Sequence, residues 1–213
     1  MAINLGNVGE PGSASWLDLR SRSIGGSDIG AIMGWSPYAT REDIMQRKLN
    51  PQPSKSTKSQ DRGHRLEEAI LGWLKDRLDA TLLTSTLEGQ DTYQHEEFMW
   101  ATYSPDALAA TPKDPKCIFE AKTAHDRGSD YGWGRGGTSK VPPAYGAQVM
   151  WGMGILGYPR AYIGVLGGGL NGRPTLGFMH YKIDFNEDSF NRLLAEGQAF
   201  MEELEERKAL LWD

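Results

Sequence analysis

Asp106, Glu120 and Lys122 are the residues whose types and order could do chemistry together: an acid, then a second acid, then a lysine two positions later. In Cys117-Ile118-Phe119-Glu120-Ala121-Lys122-Thr123 the residues alternate as in a β-strand, so Cys117, Phe119 and Ala121 share one face and Ile118, Glu120 and Lys122 the other. A carboxylate and an ammonium on one strand face also make a solvated ion pair of little energetic worth. Asp106 shifts the balance, because Pro105-Asp106 follows the expected strand Phe98 to Tyr103 and returns a second carboxylate to the same strand end. Two hard oxygen ligands suit Mg²⁺, which takes carboxylates, waters and phosphate oxygens. Such a cation polarises a phosphate and generates hydroxide, while a lysine orients the water or steadies developing charge.

The elements that must position these groups read as an α/β pattern. Trp16 to Arg22 begins an ordered segment, after a first stretch, residues 1–15, expected to be flexible. Ser27 to Met33 reads as a short helix with Ser27 near its N-cap, and Thr40 with Asp43 as the capping box of another. Residues 50–60, rich in Pro, Ser and Lys, form an exposed connector. Leu66, Ala69, Ile70, Trp73, Leu74 and Leu78 keep a helical stripe that puts Glu67 at a helix start, where a glutamate ordinarily complements the dipole. Strands are expected at Thr81 to Ser85, Phe98 to Tyr103, Cys117 to Thr123, Ala161 to Leu166 and Gly177 to Ile183. Helices follow at Ala144 to Leu156 and Phe190 to Leu211. The glycine-rich segment 125–142 carries Arg127, Trp133, Arg135 and Lys140, basic groups and an aromatic that could follow a nucleic-acid strand.

Asp106 with Glu120-Ala121-Lys122 resembles the PD-(D/E)xK signature. Trp16-x-x-x-Arg20, Ile24-Gly25-Gly26-Ser27-Asp28-Ile29, Ser36-Pro37-Tyr38, Gly63-x-x-Leu66-Glu67, Ser104-Pro105-Asp106, Val141-Pro142-Pro143-x-Tyr145 and Ala147-Gln148-Val149 then appear in the order of the YqaJ-like viral recombinase family, which includes the phage lambda-type exonuclease. The resemblance implies a restriction-endonuclease-like fold, a central mixed β-sheet flanked by helices in one domain over 1–213. It implies a Mg²⁺-dependent DNA exonuclease, with Mn²⁺ as a substitute, that resects duplex ends 5′ to 3′ and leaves 3′ overhangs. Glu67, Asp106, Glu120 and the Ala121 carbonyl would hold metal, Lys122 and Gln148 would assist the attacking water, and Arg20, Ser27 and Ser104 would bind the terminal phosphate. A single-strand annealing protein and a homotrimeric assembly are the partners the resemblance brings. An endonuclease or single-strand-specific nuclease fits the same metal site, and a nuclease-like module that only binds DNA or protein is the remaining alternative. One departure stands out: Ala107 occupies the place where the family usually has glycine after Pro-Asp, which would be strained if the position needed positive φ.

Composition sets the outer bounds. A chain of 213 residues, 39% hydrophobic with 7 Trp, is long enough to bury one sizeable core. No apolar run approaches the ~20 residues of a membrane span. Met1 to Ser15 lacks the basic and apolar regions of a signal peptide, so the expected setting is cytoplasmic; the resemblance implies the host cytoplasm of a phage or prophage. The single cysteine, Cys117, excludes an internal disulfide framework and a four-cysteine iron–sulfur cluster within the chain. The net charge of −5 is unevenly spread: Asp184 to Asp213 holds nine acids and three bases, leaving 19 acids and 20 bases before it. A near-neutral body with an acidic last helix is compatible with DNA binding if that helix faces away from the nucleic acid. His64, His95, His125 and His180 lack metal-ligand spacing and read as surface or packing residues.

Overall fold

The structure, a computed structural model, describes residues 2–53, 57–86, 90–124, 132–170 and 173–212. Strand β1 (Ile3–Gly6) leads into α1 (Ala14–Ser21), whose N-cap Ser13 accepts from the Trp16 amide. Residues 1–15, expected to be flexible, thus contain a paired strand and a helix cap. In α2 (Gly26–Ile32) the N-cap is Gly25 and not Ser27, because the Asp28 carboxylate turns back to accept the Gly25 N–H at 3.2 Å. Helix α3 (Arg41–Leu49) has the expected capping box: Thr40 Oγ1 accepts from the Asp43 amide and Asp43 accepts from the Thr40 amide at 2.8 Å.

Helix α4 (Lys58–Leu78) starts within the segment read as a connector and runs well before Leu66. Glu67 therefore lies in mid-helix, and complementing a helix dipole cannot be its role. Strands β2 (Thr81–Ser85), β3 (Thr92–Gln94), β4 (Thr102–Tyr103), β5 (Ala107–Ala110) and β6 (Cys117–Ala124) follow. The strand expected over Phe98 to Tyr103 is only its last two residues, since Phe98 and Ala101 close a turn through an amide bond of 2.7 Å. Helix α5 (Pro143–Leu156) opens on Pro143, whose missing N–H costs nothing there, and stops at Gly157 with φ 67°. Strands β7 (Arg160–Leu170) and β8 (Arg173–Asp184) precede the long α6 (Glu187–Trp212).

The five-stranded sheet has the order β2-β5-β6-β7-β8, with β6 and β7 parallel across the α5 crossover and the other neighbours antiparallel. A smaller sheet has the order β1-β3-β4. The alternation in β6 divides two cores. Cys117 and Phe119 pack with Leu71 and Leu74 of α4, while Ile118 joins Ile163, Val165, Val149 and Phe200 on the side of α5 and α6. Cys117 to Glu120 are all buried, so β6 is a central strand covered on both faces and not the half-exposed strand its alternation suggested. The same parity puts Glu120 on the α5 side, opposite Ile163. Ala107 pairs with Phe119 and is fully buried, and among the described residues Asp79 is the only non-glycine with positive φ. Alanine is therefore unstrained at 107.

Candidate active site

Glu120, 1% exposed, is the centre of the arrangement. Its Oε1 accepts from Lys122 Nζ and from Gln148 Nε2, each at 2.5 Å, and its Oε2 accepts from the Tyr103 hydroxyl at 2.8 Å. Strand parity brings Lys122 to the same face, and Gln148 arrives from the first half of α5. Asp106, just before β5, accepts the Ala121 amide N–H on Oδ2 at 2.8 Å, because β6 continues past the last β5 partner and leaves that N–H free for a side chain. The two carboxylates and the lysine expected from the sequence thus meet at one strand end.

Glu67 reaches this corner through Thr86. The Thr86 hydroxyl donates to Glu67 Oε1, and the Thr86 amide donates to the Asp106 carbonyl at 3.0 Å. His64 Nδ1 lies 3.7 Å from the other Glu67 oxygen. Burial pushes the Asp106 carboxyl well above its ordinary range, and the charges of Glu120 and Glu67 push it further, with Lys122 opposing them. Burial alone would lower the pKa of Lys122, yet the charges of Glu120 and Asp106 outweigh it and raise it. Among the described residues no three His, Cys, Asp or Glu side chains stand in a ready metal cage. The donor set nonetheless fits a hard divalent cation: three carboxylates gather with one ammonium to offset them, and a cation relieves the excess.

Arg20 and Ser27 lie at α2, whose Gly26 abuts Tyr103 and Gln148, and Ser104 directly follows Tyr103 in the chain. The Arg20 guanidinium passes close over Gly25, and a Cβ on Gly26 would lie 2.7 Å from the Tyr103 ring and 3.2 Å from Gln148 Cγ, so the Gly25-Gly26 pair permits two close approaches. Ser27 is exposed on the first turn, and Ser104 shares a 2.8 Å hydrogen bond with Thr92. Arg20 is held by Asp28 at 2.5 Å; Asp28 also takes Lys48 Nζ at 3.0 Å. Burial would raise the Asp28 pKa, but the Arg20 and Lys48 charges overcome it and hold the carboxyl at about 2.

The glycine-rich segment is placed only in part. Arg127 lies outside the described residues. Arg135 and Lys140 are exposed on a turn fastened along β8 by Gly137 N–H to the His180 carbonyl, 2.8 Å, and Lys182 N–H to the Thr138 carbonyl, 3.2 Å. Trp133, read from the sequence as a stacking aromatic, is instead buried against Tyr145 and Tyr181 and anchors the turn. Tyr38 is the exposed aromatic near the site: it is 78% exposed and bonds to Tyr145, whose ring centre is 5.5 Å from Lys122 Nζ. On α6, Glu203 pairs with Arg41 and Arg207, and Arg207 with Glu42, so part of the acidic tail is spent within the fold.

Sequence reasoning missed Tyr103, Thr86, Asp28 and Lys48. Tyr103 directly precedes Ser104-Pro105-Asp106, which is a usable signal. Lys48, in Arg47-Lys48 near the end of α3, reads as any surface lysine and carries none.

The model of the YqaJ-like viral recombinase domain matches residues 15–159, more than half of the chain. The chain belongs to the YqaJ-like viral recombinase family. Its architecture is that of solved exonucleases. An alkaline exonuclease from Laribacter hongkongensis superposes with a TM-score of 0.66 at 16% identity, covering 93% of this chain and 96% of that one. The same enzyme in complex with dAMP gives 0.65 at 15% identity and the same coverage. A phage related exonuclease from Haemophilus somnus 129PT gives 0.56 at 14%, covering 87% and 96%. At such identities the likeness shows a shared fold, a central mixed sheet flanked by helices. No curated protein matches the sequence. The family is one of nucleases, generally dependent on a divalent metal, and this member retains the acid–acid–lysine set: it is a DNA nuclease. Among the described residues no helix is long and apolar enough to cross a membrane.

Proposed function

We propose that the chain is a Mg²⁺-dependent exonuclease that degrades duplex DNA from its ends, 5′ to 3′, leaving 3′ single-stranded overhangs. The observation that carries this reading is the convergence of Glu120, Asp106, Lys122 and Gln148 on β6, and an arginine held by Asp28 at the start of α2 supports it. Glu67, Asp106, Glu120 and the Ala121 carbonyl would hold the cation, which would supply Lewis-acid polarisation of the scissile phosphate and ease deprotonation of the attacking water. Mn²⁺ would substitute.

The remaining steps belong to the chain. Lys122, kept protonated by the two acids, places a positive charge where the attacking oxygen and the phosphate develop negative charge. The Gln148 amide, fixed on α5, orients that oxygen. Arg20 offers its guanidinium, already turned by Asp28, to the 5′-terminal phosphate, with the Ser27 and Ser104 hydroxyls completing the contact. Arg135 and Lys140 follow the strand backbone along β8. A single-strand annealing protein that covers the exposed overhang, a homotrimeric assembly around the duplex and a host cytoplasmic setting complete the proposal.

Incubation with linear duplex labelled at the 5′ or the 3′ end, and with covalently closed circular duplex, tests it. Mg²⁺-dependent release of the 5′ label as mononucleotide and an intact circle are expected. Cleavage of the circle would replace this reading with an endonuclease, and early release of the 3′ label would reverse the polarity.

A further inference from the structure

Tyr103 sits at the active site without any assigned part in it. It is 1% exposed on the two-residue strand β4, and its hydroxyl donates to Glu120 Oε2 at 2.8 Å. The fold goes to some length to keep it there. Its ring lies between two helices at glycines: a Cβ on Gly26 of α2 would come 2.7 Å from the ring, and a Cβ on Gly152 of α5 would overlap it. The backbone beside it is fastened on both sides, by Thr102 N–H to the Ile24 carbonyl at 2.9 Å and by Trp151 Nε1–H to the Thr102 carbonyl at 3.0 Å. Two helices have given up side chains so that one ring can stand between them.

The hydrogen bonds to Glu120 show what the ring is for. An ionised carboxylate offers about four lone-pair sites. Lys122 and Gln148 occupy both on Oε1, and Tyr103 occupies one on Oε2, so one site on Oε2 remains. A rigid donor on Oε2 removes rotation about the last bond of the glutamate and thereby selects which lone pair faces the corner shared with Asp106. We propose that Tyr103 is a positioning residue for the metal-binding carboxylate: its hydroxyl fixes Glu120 so that a single Oε2 lone pair is presented to a divalent cation. This rests on the reading of Glu120 as a metal ligand given above. Donors to ligating carboxylates act in this way elsewhere, and their loss typically weakens metal affinity 10–100-fold.

Tyr103→Phe removes the hydroxyl and keeps the ring between its glycines. Titration calorimetry with Mn²⁺, on wild type and variant without DNA, is the direct measurement, accompanied by thermal melting and by cleavage rates over a range of Mn²⁺ concentrations. The expected result is metal affinity about 10–100-fold weaker in the variant, a melting temperature close to wild type without metal, and a rate loss at low Mn²⁺ that high Mn²⁺ restores. Equal affinities would overturn the proposal while leaving the metal site standing. A rate loss that no excess of metal restores would overturn it too, as would a variant that is unfolded at the assay temperature, since the hydroxyl would then serve folding. Wild-type protein that binds no Mn²⁺ would sink the reading of Glu120 as a ligand, and the proposal with it.

Discussion

Lys48→Met is the perturbation that most sharply tests how the start of α2 is held. The Lys48 side chain is almost wholly buried, and all three ammonium protons are used: on the Ser23 carbonyl at 2.5 Å, the Arg20 carbonyl at 3.0 Å and Asp28 Oδ2 at 3.0 Å. Methionine matches the stem but leaves two carbonyls unpaired and Asp28 with Arg20 as its remaining cation. Breaking a buried pair on one side typically costs 3–5 kcal/mol. Because Arg20 stays beside Asp28, the lower end applies, about 3 kcal/mol. At about 2–4 °C per kcal/mol for a chain of this size, the melting temperature should fall by about 6–12 °C. Removing Asp28 as well, in Lys48→Met/Asp28→Asn, should recover part of that loss, because the orphaned charge disappears. Differential scanning calorimetry of the four proteins of this cycle reads both effects. A melting temperature unchanged to within about 2 °C in Lys48→Met, or a double variant that loses the full sum of the singles, would refute the idea that these groups act as one buried unit.

Three further outcomes follow from the site. Asp28 is held at about 2 against an ordinary 3.8, so its contribution is present above about pH 4 and lost as the pH falls towards 2. The difference corresponds to about 2 kcal/mol, and acid titration of wild type against Asp28→Asn should show a flatter decline in the variant. Arg20→Ala should reduce the rate advantage of a 5′-phosphorylated duplex over its 5′-hydroxyl counterpart, by about ten- to a hundredfold if one charged hydrogen bond is lost in the transition state, read below saturation. Replacing Arg135 and Lys140 together by alanine should lower the salt slope of DNA binding by about 2 if each neutralises one phosphate, measured by fluorescence anisotropy at several ionic strengths; an unchanged slope would remove the β8 turn from the DNA path.

Local rules read the elements whose signals are local. The Thr40–Asp43 cap, the Cys117–Thr123 strand and the alternation placing Glu120 with Lys122 follow from spacing, and the structure has them. Glu67 falls in mid-helix and not at a helix start because the polar residues before Leu66 hide eight further positions of α4 behind a connector-like composition. Trp133 looked like a surface aromatic because its glycine neighbours suggest a loop, whereas the turn is pinned to β8 by backbone bonds that no side-chain pattern encodes. Lys48 carries no signal for the same reason, and Tyr103 only its place before Ser104-Pro105-Asp106. Each owes its position to partners distant in sequence, Gly152 and Glu120 for Tyr103, Asp28 and Ser23 for Lys48.

The central claim is that the carboxylates gathered at the end of β6 are the machinery of phosphodiester cleavage. Its most direct test is the release of acid-soluble nucleotide from linear duplex by wild type, Asp106→Asn and Glu120→Gln at matched Mg²⁺, each protein shown to be folded by its melting curve. Wild type should release nucleotide in a Mg²⁺-dependent manner abolished by chelation, and neither variant should release any above background. Near-wild-type release by a folded Glu120→Gln protein would contradict that claim.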